Sequence, residues 1–291
     1  MAVLKIFSRL CSRASLYPIA FTLGLLFVSS PAAAGTFVQK DGGYSYAIDG
    51  YEVGPGSTIS VKSACPGRTK VLSGGASSFG GFGDSYISSS YPYDDGDRGK
   101  SPDDGWKTKV SAFDSFVDLN AYAACAKLKP TYRDRRYEIA PMTLSTDEAV
   151  PCPDGDVVVH GGFKGPTSVR PGASFPVDDD WGLRPENVSD KDQRITGFAV
   201  CSDELEVIYI ASGTVPMPTG AQAFAEPQCP PSEPNIVGGG PFSSASFGSF
   251  RLVTNVPDFF QQPFVDEWSV LAENSGPPAS YFAWATCAPN L

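Results

Sequence analysis

The stretch Ala121-Tyr122-Ala123-Ala124-Cys125 occurs twice more in related form, as Gly197-Phe198-Ala199-Val200-Cys201 and Ala283-Trp284-Ala285-Thr286-Cys287. Each copy contains a small residue, an aromatic residue, Ala, any residue and Cys, and each closes a segment that opens with Cys-Pro. The openings are Cys65-Pro66, Cys152-Pro153 and Cys229-Pro230. A fixed order of uncommon residues that recurs in this way indicates one structural motif written three times.

Between each opening and its close, the same landmarks recur in the same order. A β-branched run leads into Gly-Gly, a small polar and a bulky residue precede Pro, and an acidic pair precedes Trp. The corresponding residues are Gly74-Gly75, Gly161-Gly162 and Gly239-Gly240; Ser90-Tyr91-Pro92, Ser174-Phe175-Pro176 and Asn255-Val256-Pro257; and Trp106, Trp181 and Trp268. These landmarks predict repeats at residues 51–136, 137–207 and 208–291, after a lead-in hairpin at residues 35–50.

The first 34 residues have the features of a cleaved signal peptide. Lys5, Arg9 and Arg13 form a positive region, an apolar run follows at Ile19–Val28, and Pro31–Ala34 supplies small residues for cleavage. The apolar run is shorter than the roughly 20 residues that span a bilayer. We therefore expect cleavage between residues 34 and 35 and a secreted or periplasmic protein without a membrane span.

The charge of the chain argues against two classes of partner. Cleavage would remove three of the 22 basic residues and none of the 32 acidic residues, so the net charge would change from −10 to about −13. Nucleic acids and anionic membrane surfaces bind through basic surfaces. We therefore expect no nucleic acid and no membrane as a partner.

The cysteines indicate a disulfide framework. Of the seven cysteines, Cys11 lies in the signal peptide, and the others are typical of bridges in an exported chain. Each repeat has one opening and one closing cysteine, which favours the pairs Cys65–Cys125, Cys152–Cys201 and Cys229–Cys287. The rival pairing joins Cys125 to Cys152 and Cys201 to Cys229, and leaves Cys65 to pair with Cys287.

Strand patterns dominate the chain. Runs such as Thr58–Lys62 and Trp106–Val110 are short, rich in β-branched or aromatic residues, and bounded by Gly, Pro, Asp and Ser. With 30 Gly and 26 Pro, every candidate helical window is interrupted. We therefore predict an all-β protein whose repeats form a pseudo-threefold β-prism, with one sheet and one disulfide per repeat. The alternative is three tandem small β-sandwiches.

The closing strand of each repeat has two different faces, because side chains alternate along a strand. One face has the aromatic residue, which we expect to pack in the core. The other face has Ala or Gly beside Cys, and glycine also marks positions where another group approaches closely. We expect the three tryptophans to pack against these small residues. The alternative is that Trp106, Trp181 and Trp268 are ligand-binding platforms for sugars.

The pattern of Cys-Pro, Gly-Gly, Trp and closing Cys resembles that of a group of exported bacterial proteins with Cys-Pro…Gly-Gly…Trp…Tyr-Ala-x-Cys repeats. This resemblance covers nearly all of the mature chain and implies no particular activity. In repeat number and cysteine placement, the chain is also similar to the vitelline membrane outer layer proteins. That second resemblance implies a β-prism and carries no functional residues across.

The sequence has none of the usual catalytic motifs. It contains one histidine, His160, no Gly-x-Ser-x-Gly elbow and no His-Glu-x-x-His motif. Ser73 and Gly238 occupy the position of His160 in the other repeats, so we interpret it as a tolerant strand end. We therefore expect no catalytic residue and no enzymatic activity. The alternative is a secreted glycoside hydrolase, which needs only a pair of carboxylates.

An acidic loop precedes the tryptophan in each repeat, and its length differs between repeats. Ca²⁺ prefers hard oxygen ligands, so Asp94, Asp97, Asp103 and Asp104 of the first repeat are the predicted calcium ligands. The alternative is that these residues form solvated turns. No cofactor is required by any other feature of the sequence.

Loops that differ in length over a constant frame are where binding specificity usually lies. The sequence therefore favours a secreted, non-enzymatic binding protein with lectin-like recognition of an extracellular glycan or surface polymer, through three repeated loop sites. The alternative is a structural protein of an extracellular coat or matrix.

Overall fold

The computed structural model describes residues 34–79, 83–96, 101–257 and 266–291. The predicted signal peptide lies outside the described residues except for Ala34. The described residues contain no helix, and therefore none that is long and apolar enough to cross a membrane. The predicted all-β class is confirmed.

The described residues form strands throughout, and Gly, Pro, Asp and Ser occupy most of the turns between them. The strands are β1 (Ala34–Asp41), β2 (Tyr44–Val53), β3 (Thr58–Ala64), β4 (Lys70–Phe79), β5 (Ser85–Tyr93), β6 (Gly105–Ala112), β7 (Val117–Ala126), β8 (Thr131–Ile139), β9 (Thr143–Leu144), β10 (Glu148–Pro151), β11 (Val157–Lys164), β12 (Val169–Val177), β13 (Asp180–Asn187), β14 (Gln193–Ser202), β15 (Ile208–Ala211), β16 (Val215–Met217), β17 (Ala221–Ala225), β18 (Asn235–Ser243), β19 (Phe250–Pro257), β20 (Trp268–Asn274) and β21 (Ala279–Ala288).

These strands pair antiparallel in three sheets. Sheet 1 has the order β1-β2-β7-β4-β19-β20-β17, and sheet 2 has the order β3-β6-β5-β11-β14-β8. Sheet 3 has the order β10-β13-β12-β18-β21-β15, with β16 also paired to β21 and β9 to β13.

Each sheet is shared by two repeats, which corrects the expectation of one sheet per repeat. In the first repeat, β4 and β7 pair in sheet 1, whereas β5 and β6 lie in sheet 2 beside β11 and β14 of the second repeat. In the same way, β12 and β13 join the third repeat in sheet 3, and β19 and β20 join the first repeat in sheet 1. The chain therefore leaves its own sheet after each Gly-Gly strand and returns to it for the closing strand.

The Gly-Gly pairs explain why strands of different repeats can pair there. At the three junctions, Asn255 faces Ala76, Ser90 faces Phe163 and Ala173 faces Phe242. A Cβ on the second glycine of each pair would overlap a backbone carbonyl oxygen of the neighbouring repeat. The overlapping pairs are Gly75 with Asn255, Gly162 with Ser90 and Gly240 with Ser174. Only glycine permits this approach between the strands.

Buried side chains of the first and third repeats pack in one hydrophobic cluster that reaches all three sheets. A single buried cluster contains Leu119 of sheet 1, Val110 of sheet 2 and Ile236 of sheet 3, and the described residues belong to one compact unit. The alternative of three separate β-sandwiches is therefore wrong, because each sheet contains strands of two repeats.

The predicted disulfide pairing is confirmed, with one bridge in each repeat. The Cα atoms are 5.7 Å apart in Cys65–Cys125, 5.8 Å in Cys152–Cys201 and 5.5 Å in Cys229–Cys287. Each bridge joins the segment before a Gly-Gly strand to the closing strand that pairs with it. The rival pairing between repeats does not occur.

Two of the expected repeat boundaries fall inside strands. The boundary at residues 50/51 lies in β2, which pairs with β7, and the boundary at residues 136/137 lies in β8, which pairs with β14. The similar sequences Tyr51-Glu52-Val53 and Tyr137-Glu138-Ile139 therefore lie at the ends of β2 and β8, and the repeat bounds stay a prediction.

The junction glycines give a direct test of this packing. We expect Gly162→Ala to lower the free energy of unfolding by about 2 kcal/mol or more, because the new methyl group must displace the backbone of β5. Urea denaturation measures this change. The matched control is Gly213→Ala, since Gly213 is exposed and an added Cβ would have no atom within 4 Å. Equal unfolding midpoints for the two variants would contradict the junction packing.

Candidate functional site

The three tryptophans lie in the core. Their exposed fractions are 1% for Trp106, 0% for Trp181 and 0% for Trp268. Each indole contacts the first glycine of a Gly-Gly pair, so the expected packing against small residues is confirmed. The alternative assignment of these tryptophans as ligand platforms is wrong, because no ligand can reach a side chain without exposed surface.

Each indole N–H also has a partner inside the protein. Trp106 Nε1 donates to Ser90 Oγ at 2.7 Å, and Trp181 Nε1 donates to Ser174 Oγ at 3.0 Å. Trp268 Nε1 donates to Asn255 Oδ1 at 2.8 Å. In each repeat, the small polar residue that lies two positions before Pro therefore accepts the hydrogen bond of the buried tryptophan N–H.

His160 lies among the three indoles. Its ring centroid is 4.8 Å from that of Trp106, 4.9 Å from that of Trp181 and 5.2 Å from that of Trp268. The Gly239 N–H donates to Nδ1 at 3.2 Å, and Nε2 lies 3.2 Å from the Gly74 carbonyl oxygen. Both contacts are satisfied by a neutral ring with its proton on Nε2.

The interpretation of His160 as a tolerant strand end is wrong. The ring is 1% exposed and fills the centre of the core, whereas Ser73 and Gly238 at the corresponding positions leave room for it. An added Cβ on Gly238 would lie 3.0 Å from the Cβ of His160, so the three positions are not interchangeable. Because both ring nitrogens are engaged and buried, His160 has no access to a substrate.

The acidic residues of the first loop make local contacts. Asp103 Oδ2 is 2.7 Å from Lys70 Nζ, Asp104 Oδ2 accepts the Asp95 N–H at 2.6 Å, and Asp94 Oδ1 accepts the Gly96 N–H at 2.8 Å. Asp97 lies outside the described residues. Among the residues that are described, no group of three metal-ligating side chains is found. These contacts stabilise the turn, and calcium binding stays a prediction.

An open pocket of about 300 Å³ lies on the outer face of sheet 2, beside this acidic loop. Its floor contains the stacked rings of Tyr91 and Phe198, whose centroids are 5.6 Å apart at an interplanar angle of 18°. The full lining is Lys62, Tyr91, Pro92, Tyr93, Asp94, Asp95, Pro102, Lys107, Lys164 and Phe198. The pocket therefore combines an aromatic floor with cationic and anionic groups at its margin.

Strand alternation places these side chains together. Ser90 in β5 and Trp106 in β6 point into the core, so Tyr91 and Lys107, the next residues, point outward. Tyr91 and Lys107 are also direct cross-strand partners. Phe198 reaches the same face from β14, although its position in the closing strand predicts core packing. That prediction is wrong for Phe198 and Trp284, which are half-buried, whereas Tyr122 is buried.

Lysines surround the aromatic floor. Lys164 Nζ lies 5.6 Å from the centroid of the Tyr91 ring. Lys62 Nζ lies 5.2 Å from that of Tyr93 and is 2.8 Å from Asp95 Oδ1. Lys109 Nζ, further along β6, donates to the Gly165 carbonyl oxygen at 3.1 Å. Burial lowers the pKa of Lys109, and the neighbouring charges of Lys164 and Lys107 lower it further.

The outer faces of the other two sheets differ from this one. In sheet 3, the rings of Phe175 and Phe242 are 5.1 Å apart, as are those of Phe242 and Phe282, and Arg184 lies over Phe242. In sheet 1, Tyr122 is buried, and its hydroxyl oxygen accepts a hydrogen bond from Ser77 Oγ at 3.3 Å. The outer faces of the three sheets therefore differ in chemistry, and the three repeated loop sites stay a prediction.

A larger open cleft of about 800 Å³ lies near the β1–β2 turn and is lined in part by Arg68, Lys127 and Leu291. The aromatic residue in its lining is Tyr44, which is 1% exposed and donates to the Pro289 carbonyl oxygen at 3.1 Å. Its walls are turn residues without a stacked platform. The smaller pocket on sheet 2 is therefore the better candidate site.

No protein-family model matches the chain, and no curated protein matches it in sequence. The assignment of the candidate site therefore depends on its geometry and chemistry.

The buried histidine predicts a specific dependence of stability on pH. Burial lowers the pKa of His160 from 6.5 to about 3, so the unfolded chain binds a proton that the folded chain does not. The contribution of neutral His160 to the free energy of unfolding is fully present above pH 6.5. It is lost as the pH falls towards 3, at about 1.4 kcal/mol per pH unit. Urea denaturation at pH 7.5 and pH 5.5 should therefore show a difference of roughly 1.4 kcal/mol from this group.

The control is His160→Gln, which keeps a donor and an acceptor but has no charge to gain. Carboxyl groups such as Glu186, whose pKa is raised by burial, contribute to both profiles and cancel in the comparison. Parallel pH profiles for the wild-type protein and the variant would contradict a neutral, buried His160.

Proposed function

We propose that this protein is an exported, non-enzymatic binding protein that recognises a glycan through the pocket on sheet 2. The observation that carries the proposal is the stacked pair Tyr91 and Phe198 on an outward face, at the floor of a shallow pocket. Sugar rings present apolar C–H faces that pack on aromatic rings, and their hydroxyl groups need polar partners at the edge of the stack. Lys107, Lys164 and Asp94 are in place to be those partners.

The form of the pocket favours a polymer over a small molecule. Small-molecule sites are usually deep clefts that bury most of the ligand, whereas this pocket is a shallow area on the surface of a sheet. A chain of sugars can lie across the strands and contact the aromatic floor with successive rings. This supports binding to an extracellular or cell-surface polysaccharide.

The placement of the acids favours binding over hydrolysis. A glycoside hydrolase places two carboxylates on opposite sides of the scissile bond. In this pocket Asp94 and Asp95 are adjacent in sequence, and Asp95 is paired with Lys62. The proposal therefore assigns no catalytic role to the acids of the pocket.

The export of the protein is supported by two independent features. Disulfides persist in oxidising compartments and are rare in the reducing cytosol, and this fold has three of them. The first 34 residues have the composition of a signal peptide. Calcium stays a separate prediction for the acidic loop, since the proposed contacts with sugar do not need it.

The proposal predicts which variants lose binding. Phe198→Ala and Tyr91→Ala should each weaken binding to a recognised polysaccharide by roughly tenfold, because the stacking platform is lost. Affinity electrophoresis through gels that contain neutral and acidic polysaccharides, followed by calorimetric titration, measures this change.

The matched control is Phe116→Ala, because Phe116 is 68% exposed and lies away from the pocket. Its binding should be unchanged, and thermal melts should show that all three variants are folded. If the wild-type protein is retarded by no polysaccharide, the proposed function is wrong and a structural coat protein becomes the better interpretation.

A further inference from the structure

We infer that the glycan recognised by this face is an acidic polymer, whose carboxylate or sulfate groups are bound by Lys107 and Lys164 beside the aromatic floor. The inference rests on the proposed function and specifies the class of ligand. It follows from the charge of the face, from its arrangement around the rings, and from comparison with the other two sheets.

The lysines of this face are not neutralised within the described part of the protein. The ion pairs found there are Lys62–Asp95, Lys70–Asp103 and Arg194–Glu138, and none of them includes Lys107, Lys109 or Lys164. Burial lowers the pKa of Lys109, and the neighbouring charges of Lys164 and Lys107 lower it further. Their grouping is notable in a chain with a net charge of −10, where acids are the more abundant counterions. An anionic ligand would relieve this repulsion.

Lys107 lies beside the aromatic floor, and Lys164 lies over its Tyr91 ring. Lys107 is the cross-strand partner of Tyr91, and Lys164 lies 5.6 Å from the centre of the same ring. A carboxylate or sulfate group at the edge of a stacked sugar would therefore meet an ammonium group. Lys107 is half-buried and Lys164 is exposed, and a charge-assisted hydrogen bond to either ammonium group is stronger than one between neutral groups.

The fold itself does not require these lysines. Lys164 lies two residues after the second glycine of its Gly-Gly pair, and the corresponding residues of the other repeats are Ser77 and Phe242. Lys107 directly follows Trp106, and the corresponding residues are Gly182 and Ser269. Sheets 1 and 3 thus form the same strand pairings without a cation at either position. A structural role for Lys107 and Lys164 is therefore not supported, and a role towards a ligand remains.

The two ends of the pocket differ in charge, with acidic groups at one end and lysines at the other. Asp94 and Asp95 line the end beside the acidic loop, and Lys62 offsets the charge of Asp95. An anionic polymer would be attracted by the lysines of β6 and β11 and repelled from the side of Asp94. The acidic groups of the ligand are therefore expected to lie over Lys107 and Lys164 and not over the loop.

Two matched pairs of polymers test the inference with the full chain. Polygalacturonate is compared with its methyl-esterified form, and dextran sulfate with dextran, because each pair differs in charge and shares a backbone. We expect at least one acidic polymer to bind roughly tenfold more tightly than its neutral counterpart at low salt, and the difference to shrink as the salt concentration rises. The first pair reports on carboxylates and the second on sulfates.

Variants test whether the preference for acidic polymers comes from the lysines of this face. Lys107→Gln combined with Lys164→Gln should reduce binding of the preferred acidic polymer to that of its neutral counterpart. The double variant Lys129→Gln and Lys191→Gln, at exposed positions elsewhere, is the control and should bind as the wild-type protein does. Equal losses in both double variants would overturn the assignment, since they would indicate a general effect of net charge.

The failures of the two proposals are distinguishable. If the acidic and neutral members of each pair bind equally and Phe198→Ala weakens both, the inference is wrong and glycan binding stands. If Phe198→Ala has no effect on any bound polymer, or none of the polymers binds, the aromatic pocket is not a glycan site and both proposals are wrong.

Discussion

The absence of a side chain at the Gly-Gly pairs is the constraint on which the rest of the structure depends. The first glycine of each pair lies against an indole, and the second lies against a carbonyl oxygen of a different repeat. A side chain at either position would separate a sheet junction or displace a tryptophan from the core. Van der Waals exclusion at these few backbone positions thus sets both how the strands of different repeats pair and how the core is filled.

Much of the frame could be predicted from the sequence because rare residues mark it. The cysteine pairs follow from one opening and one closing cysteine per repeat, and the tryptophans follow from the small residues that leave room for them. The exchange of strands between repeats could not be predicted, because the local pattern of β4, β5 and β6 is the same whether they share a sheet or not.

The candidate site was only partly visible in the sequence. Tyr91 and Phe198 both belong to repeated landmarks, but in separate strands, and nothing local shows that they stack across β11. The alternation Lys107-Thr108-Lys109 was the available signal, since a strand with lysine at every second position exposes one face to solvent or ligand. His160 shows the opposite case: the variation between Ser73, His160 and Gly238 predicts tolerance, whereas the ring of His160 is buried among three indoles and Gly238 has no side chain where it faces the Cβ of His160.

The cyclic sharing of sheets has a consequence for how such a protein can diversify. An open array of repeats can gain or lose a unit at its end, because each unit contacts only its neighbours. Here β19 and β20 of the third repeat pair in the same sheet as β4 and β7 of the first. The sharing of sheets is therefore closed into a ring, and the number of repeats is fixed. Variation is left to the outward side chains of the individual copies. The outer face of sheet 2 has lysines, that of sheet 3 has phenylalanines, and that of sheet 1 has the buried Tyr122. Specialisation of individual copies within a ring of fixed size would produce this contrast.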